Sequence, residues 1–189
     1  MLKFMGDYSV VGKSVERTDG RVKVTGRARF AGDLVAPGML HGKILRSPVA
    51  HAKILNIDTS RAERFPGVMG VITGKDFPGK PYGTRPDTRD QLPMPITKVH
   101  HFGEGVAAVA ALDEDIAEEA LDSIKVDYEE LPVVLTAEDA LKPDAPQVNE
   151  FKKSNLAYSS DFVFGDVEKG FGEADLIKEE NFSSQRVTA

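Results

Sequence analysis

Apolar and polar residues alternate near the start of the chain in a pattern that predicts β-strands. In VKVTGRARFAGD, residues 22–33, apolar side chains alternate with arginines, as in a half-buried strand. MLHGKILRS and AHAKILNID, residues 39–47 and 50–58, predict two more strands on either side of Ser47-Pro48, because proline is better tolerated between strands than inside one. Residues 1–20 are polar and irregular.

The periodicity changes after this region. TSRAERF, residues 59–65, predicts one or two helical turns, with Thr59 or Ser60 as the N-cap and Glu63 in the capping-box position. VMGVITG, residues 68–74, is a short apolar run and predicts a buried strand.

Residues 103–131 carry the clearest periodic signal. GEGVAAVAAL is an apolar run, and DEDIAEEALDSI, residues 113–124, repeats apolar residues every three or four positions, as an amphipathic helix does. Asp113 and Asp115 are the strong cap candidates of this helix and suit the positive end of its dipole. KVDYEEL then predicts a strand, so this region predicts a strand, helix, strand unit.

The remaining segments are less regular. Residues 76–97 are rich in proline and predict a long loop, which in a compact domain is usually functional, partner-facing or mobile. TAEDAL, residues 136–141, predicts a short capped helix, and the polar residues 142–160 predict a linker. Residues 161–189 contain too few apolar side chains to enclose a core of their own.

Composition narrows the classes of function. With 189 residues, 41% of them hydrophobic and 29% charged, the chain suits a globular domain plus an appendage. We expect a cytoplasmic protein, because no apolar run is long enough to span a membrane and no signal peptide is evident. A net charge of -6 argues against binding nucleic acid. Without cysteine the chain itself holds no disulfide, thiolate zinc site or ordinary iron–sulfur cluster.

Two glycine motifs are candidates for nucleotide sites. GKS at residues 12–14 lacks the preceding glycine of a phosphate loop, since Asp7 stands at that position. GEGVAA at residues 103–108 fits a dinucleotide fingerprint, and Asp122, Asp127 and Glu129 lie at about the distance of a ribose-binding acid. It follows KVHHF rather than an apolar strand, so we expect its glycines to permit a bulge or a tight entry into a strand.

The histidines and acids give no self-contained active site. His41, His51 and the His100-His101 pair are expected to be structural, because adjacent strand residues point to opposite faces and cannot share a metal. The acids of DEDIAEE and YEEL are expected to be a solvated helix face and a strand end, and no serine lies in a G-x-S-x-G motif.

Four stretches carry a family resemblance over nearly the whole chain: VGKSVERTDGRVKVTGRARFAGDL, LHGKILRSPVAHAKILNIDTSRAERFPGVMGVITGKDFPG, FGEGVAAVAALDEDIAEEALDSIKVDYEELPVVLTAEDAL and GDVEKGFGEADLIKEENFSSQR. In this order they resemble the start of the molybdenum-cofactor-binding large subunit of the xanthine dehydrogenase and aldehyde oxidase family. Gly105 departs from the family pattern, in which proline more often follows Gly-Glu.

The resemblance implies an α+β fold in which a hammerhead domain, a mixed sheet with packed helices, is followed by an incomplete segment of a molybdopterin-binding domain. The implied boundaries are an N-terminal extension at 1–20, the hammerhead domain at 21–135, a linker at 136–160 and the start of the molybdopterin-binding domain at 161–189. The ending EENFSSQRVTA, without a closing glycine or proline, fits a chain that continues in its relatives.

In function, the resemblance implies part of a molybdenum hydroxylase that oxidises a purine, an aldehyde or an N-heterocycle using water. Gln185 matches the family glutamine that approaches an oxygen ligand of the molybdenum, and it is the only site residue carried over. We expect this chain to bind no cofactor alone, because the other molybdopterin motifs lie beyond it. The expected partners are the remaining molybdopterin-binding domains, iron–sulfur and FAD subunits or domains, and as a further candidate a second copy of the chain. The alternative is a stand-alone interaction domain without catalytic activity, and a weaker third is a dinucleotide-binding domain.

Overall fold

A computed structural model describes residues 8–84 and 89–185 of the protein. In chain order its strands are β1 (His41–Arg46), β2 (Ala52–Asp58), β3 (Val68–Thr73), β4 (Lys98–Val99), β5 (Gly105–Ala111) and β6 (Lys125–Glu130). Its α-helices are α1 (Gly20–Val24), α2 (Glu114–Asp122), α3 (Ala137–Ala140) and α4 (Val167–Gly172), and short 3-10 turns occupy Ala31–Asp33 and Gly74–Asp76.

The strands form two three-stranded sheets, ordered β1-β5-β3 and β4-β2-β6. In the second sheet β2 and β4 are antiparallel, with Ala52 opposite Val99 and Lys53 opposite Lys98. Helices and sheets thus occur together, as the predicted α+β class requires.

The chain divides into two units. The first consists of the described chain up to Ile44, with Asp58–Val71 and Ala108–Lys125. The second consists of Leu45–Ile57, Ile72–Ala107 and the chain from Val126 onward.

Helix α2 contributes buried residues to the first unit. Asp113 is its N-cap and accepts a hydrogen bond from the Ile116 amide at 2.8 Å. Ala117 and Ala120 are completely buried, four and seven residues after the cap, as the predicted amphipathic pattern requires. The prediction of a capped helix between strands is therefore confirmed.

Residues from separate strands form the core of the second unit. Ala52 of β2, Val99 of β4 and Val106 of β5 are completely buried. Partly buried side chains pack against this cluster from neighbouring positions: Leu45, Val49, Ile54, Val126 and Tyr128. The predicted strands at 39–47, 50–58 and 125–131 are confirmed as β1, β2 and β6.

The strand predicted over residues 22–33 is wrong. Helix α1 ends at Val24, and the amides of Arg27 and Ala28 both donate to the Val22 carbonyl. The Phe30 amide donates to the Asp33 carboxylate at 2.9 Å. Apolar alternation favours a strand only where another strand pairs with it, and here local turns satisfy the backbone instead.

Two other predictions need correction in detail. VMGVITG forms β3, but at the edge of its sheet, where Met69 and Ile72 remain 61% and 42% exposed rather than buried. The predicted helical turns at 59–65 form as turns without a regular helix: the Glu63 amide donates to the Thr59 carbonyl, and the Phe65 amide donates to the Ala62 carbonyl.

The described parts of the proline-rich segment are irregular, as predicted. One antiparallel bridge joins Tyr82 and Gln91, and residues 85–88 lie outside the described chain. The predicted short helix at 136–141 is confirmed as α3, where Thr136 accepts from the Asp139 amide.

From residue 156 to 185 every described residue is exposed. Helix α4 is short, and Phe162 and Phe164 are almost fully exposed. The expectation that this segment encloses no core is confirmed for its described part. Among the described residues no helix has the length and apolarity that crossing a membrane requires.

Candidate functional site

The end of β1 is joined to the loop before β5. The buried Ser47 donates its amide to the Glu104 carbonyl at 2.8 Å, and its own carbonyl accepts from the Gly103 amide at 2.9 Å. The Arg46 guanidinium donates to the Gly103 carbonyl at 2.9 Å. Gly103 has φ +81°, which glycine adopts without strain.

This geometry explains the GEG motif. β5 begins at Gly105, directly after the turn, and no helix begins at these glycines. A dinucleotide fingerprint requires a helix N-terminus there. The expectation of a tight entry into a strand is confirmed, and the dinucleotide alternative is not supported.

Next to this turn lies a group that we call the His100 cluster: His100, Glu104, Glu150 and Lys98. The His100 ring Nδ1 lies 3.1 and 3.2 Å from the two Glu104 carboxylate oxygens, and Nε2 lies 2.8 Å from a Glu150 oxygen. The His100 amide donates to Glu104 at 2.5 Å. Lys98 Nζ lies 3.3 Å from the same Glu150 oxygen.

Burial and charge act in opposite directions on these groups. Burial disfavours the imidazolium of His100, but hydrogen bonds to Glu104 and Glu150 outweigh it, so its pKa is raised above the usual value near 6.5. Burial likewise favours the protonated carboxyls, but contacts with His100 outweigh it and lower the pKa values of Glu104 and Glu150 below 4.5.

The cluster borders a polar cavity of about 430 Å³. Its lining combines charged, amide and proline side chains with exposed backbone: Arg46, Tyr82, Asp90, Gln91, Leu92, Pro93, Pro95, His100, His101, Gly103, Glu104, Gly105 and Asn149.

Part of the predicted linker is hydrogen-bonded into the same unit. We call residues 147–155 the clip segment. The Asn149 side chain donates to the Asp90 carbonyl at 3.0 Å, and Lys98 donates to the Gln147 carbonyl at 3.4 Å. The Asn155 amide group donates to the Ala140 and Pro146 carbonyls at 3.1 and 2.9 Å.

Two of the other histidines lie against backbone carbonyls. His51 is buried, and its Nδ1 lies 2.7 Å from the Pro132 carbonyl, so this nitrogen carries the proton. His101 Nδ1 lies 3.0 Å from the Phe102 carbonyl. Across residues 8–84 and 89–185, no group of three or more His, Asp or Glu could hold a metal ion.

The remaining candidates lie on the surface. Gly12, Lys13 and Ser14 form an exposed turn without a following helix, so they do not build a phosphate loop. Glu114 pairs with Lys43 at 2.5 Å, and Glu129 pairs with Lys53 at 2.7 Å. These acids are ion-paired at exposed positions, which agrees with the expected solvated surfaces.

Gln185 is exposed in the irregular segment after α4 and does not line the polar cavity. A molybdenum–pterin group needs an enclosing set of donors, and one exposed amide does not provide it. Gln185 by itself therefore does not form a site for that cofactor.

Sequence reasoning missed the His100 cluster. Glu104 lies four residues after His100, but on a turn rather than a helix, so helical spacing rules do not find the pair. Glu150 lies fifty residues away, in a segment without periodicity, and no local signal links it to His100.

Comparison with known proteins gives the family. Residues 25–132, more than half of the chain, match the model described as "Aldehyde oxidase and xanthine dehydrogenase, a/b hammerhead domain". A probable xanthine dehydrogenase subunit of Bacillus subtilis is 43% identical over 90% of this chain and 22% of its own length. "Nicotinate dehydrogenase large molybdopterin subunit" of Eubacterium barkeri is 36% identical over 96% of this chain and 42% of its own.

The fold is similar as well. The aldehyde oxidoreductase of Desulfovibrio gigas superposes with a TM-score of 0.64 at 35% identity, over 71% of this chain and 16% of that one. This chain thus spans less than half the length of each of these relatives. On sequence and fold together, the chain belongs to the aldehyde oxidase and xanthine dehydrogenase family and contains its a/b hammerhead domain.

Proposed function

We propose that this chain supplies the hammerhead domain and the first segment of the molybdopterin-binding region in the large subunit of a cytoplasmic molybdenum hydroxylase. The whole enzyme hydroxylates a purine, an aldehyde or an N-heterocycle with oxygen from water. Electrons pass to iron–sulfur clusters and FAD on partner subunits or domains. The chain alone acts as scaffold and interface.

The observation that carries the proposal is the extent of the similarity. The family model matches residues 25–132, and the Bacillus subtilis relative remains similar over 90% of the chain. The similarity therefore continues beyond the hammerhead domain, into the region that we assign to 136–160 as linker and 161–189 as the start of the molybdopterin-binding domain.

The exposure of the last described segment supports the interface role. Phe162, Phe164 and Phe182 are each at least 88% exposed. Covering such apolar rings with another surface removes them from water and stabilises the assembly. We assign that surface to the remaining molybdopterin-binding domains.

Within this proposal Gln185 faces the cofactor only when those domains are present. A side-chain amide donates hydrogen bonds and can orient a neighbouring polar group. Its role in the complete enzyme is to orient such a group rather than to react.

A chimera tests the proposal. The corresponding region of the Bacillus subtilis protein is replaced by this chain and produced with that enzyme's partner subunits. We expect a molybdenum-containing complex that incorporates ¹⁸O from labelled water into a purine, an aldehyde or an N-heterocyclic acid. A matched chimera that lacks residues 25–132 is expected to lack molybdenum and activity.

An assembled, molybdenum-free and inactive complex would contradict the proposal. Ordered, protected residues 156–185 in the chain alone would instead favour a stand-alone interaction protein.

A further inference from the structure

We propose that His100 is a pH-dependent latch that holds the clip segment, through Glu150, against the turn that precedes β5. This inference rests on the geometry of the second unit and does not depend on the proposed function.

Each ring nitrogen of His100 faces a carboxylate. Nδ1 faces Glu104 and Nε2 faces Glu150, both at hydrogen-bond distance. A neutral imidazole has one N–H, so one of its nitrogens would present a lone pair to a carboxylate. Only the imidazolium donates to both carboxylates at once, and such charge-assisted bonds are the stronger kind.

Charge balance in the cluster also favours the protonated form of His100. With His100 protonated, the two positive groups of the cluster, His100 and Lys98, match the negative Glu104 and Glu150. The side chains of Lys98, His100 and Glu104 are each less than one fifth exposed. Loss of the proton leaves one uncompensated negative charge among partly buried groups, which is unfavourable.

The charged groups around His100 come from several parts of the chain: Lys98 from β4, Glu104 and His101 from its own turn, Glu150 from the clip segment, Arg46 from β1 and Asp90 from the proline-rich loop. Arg46 already donates to the Gly103 carbonyl, and Asp90 has Lys152 at 3.5 Å.

Loss of the His100 proton weakens the hold on the clip segment more than the hold on the turn. Glu104 keeps its bond from the His100 amide whatever the charge of the ring. Glu150 is held only by the ring and Lys98 among its described side-chain partners. Because Asn149 and His100 both line the polar cavity, movement of the clip segment changes the lining of that cavity.

The direction of the pH dependence follows from linkage. The raised pKa of His100 makes its contribution complete below pH about 6.5 and lost as pH rises through the raised value. The lowered pKa values of Glu104 and Glu150 make theirs complete above about 4.5 and lost as pH falls through the lowered values. The latch is therefore strongest between about pH 4.5 and 6.5.

Two measurements on the 189-residue chain test the latch between pH 5 and 9. Long-range ¹H–¹⁵N NMR of the histidine rings reports the protonation of His100. Hydrogen exchange, expressed as protection relative to intrinsic rates at each pH, reports the closure of residues 147–155. We expect His100 to retain two N–H protons above pH 6.5, and protection of the clip segment to fall about tenfold per pH unit until His100 becomes neutral.

A variant and a control sharpen the test. Glu150→Gln removes the negative charge that faces Nε2 of His100. We therefore expect a lower His100 pKa and a weaker pH dependence of clip-segment protection. Glu138→Gln makes the same change at an exposed position in α3 and should leave both unchanged. A His100 that is neutral at pH 6.5 overturns the proposal, and so does protection that stays constant while His100 titrates. Both outcomes are readable in the unmodified chain, whether or not the variant folds.

Discussion

Gly74 is buried in the 3-10 turn that follows β3, against the backbone of the proline-rich segment. A Cβ atom at this position would lie 2.3 Å from the Pro95 carbonyl oxygen and 2.9 Å from that of Met94. Backbone oxygens cannot move aside as the end of a side chain can. The absence of a side chain thus permits two parts of the second unit to approach each other.

Gly74→Ala is therefore expected to lower the free energy of unfolding by about 1–3 kcal/mol through overpacking. Gly70→Ala is the matched control, since a Cβ there meets no atom within 4 Å. Urea unfolding of both variants measures the difference. Equal midpoints would show that the close approach at Gly74 is absent in solution.

Gln185 provides a prediction for the complete enzyme. In the active chimera, Gln185→Ala is expected to lower turnover about 10–100-fold, the usual effect of losing a group that orients a metal centre. Molybdenum content, measured by elemental analysis, should stay within about twofold of the parent if the role is orientation. Ser184→Ala serves as the control at the neighbouring exposed position. Parental turnover in both variants would exclude the role.

At single residues, the sequence predicted the features that local rules describe. The cap Asp113 and the turn glycine Gly103 follow from helix and turn chemistry over a few residues. The His100 to Glu150 contact does not, because it depends on how a segment without periodicity packs after folding. Long-range polar clusters leave no mark in one sequence.

Among the elements, α2 depends most clearly on one side chain. Asp113 accepts the Ile116 amide hydrogen bond and stands beside the positive end of the helix dipole. Ala117 and Ala120 are buried, so any fraying of the first turn exposes part of the first unit's core.

Asp113→Ala is expected to destabilise the chain by about 1 kcal/mol, the usual cost of losing an N-cap. Glu119→Ala removes an exposed acid from the middle of the same helix and is the control. Thermal unfolding followed by circular dichroism compares them. A larger loss in Glu119→Ala than in Asp113→Ala would contradict the assigned cap.

A segment with alternating apolar residues formed a strand only where another strand pairs with it. β1, β2 and β6 were predicted correctly because each pairs with a neighbouring strand, which satisfies backbone hydrogen bonds and brings cross-strand side chains together. Residues 22–33 have a similar alternation, but they form the end of α1 and turns and belong to neither described sheet. The burial of β3 was overestimated because an apolar run does not reveal an edge position.

At the scale of the whole chain, hydrogen bonding and exposure differ between the clip segment and the residues after it. Residues 147–155 are hydrogen-bonded to other parts of the second unit, whereas residues 156–185 are exposed throughout. Exposed segments with few contacts are the first to be cleaved by proteases.

Limited chymotrypsin digestion of the chain alone is thus expected to cut first at Phe162 or Phe164. Mass spectrometry of the early products should show a fragment that retains the clip segment. In the complete complex the same sites should resist cleavage, because the proposed partner surface covers them. Early cleavage at Phe151 instead would mean that the clip segment is open.

The order of strands in the first sheet has a consequence for synthesis. β5 lies between β1 and β3, yet about 60 residues separate the end of β1 from the start of β5. At roughly 5–20 residues per second, β1 waits about 3–12 s on the ribosome before its central strand exists. β3 is complete only at Thr73, so for roughly the second half of that interval both outer strands lack their central partner. Unpaired strands of this kind are exposed to aggregation, and we expect chaperones to bind the nascent chain until β5 is made.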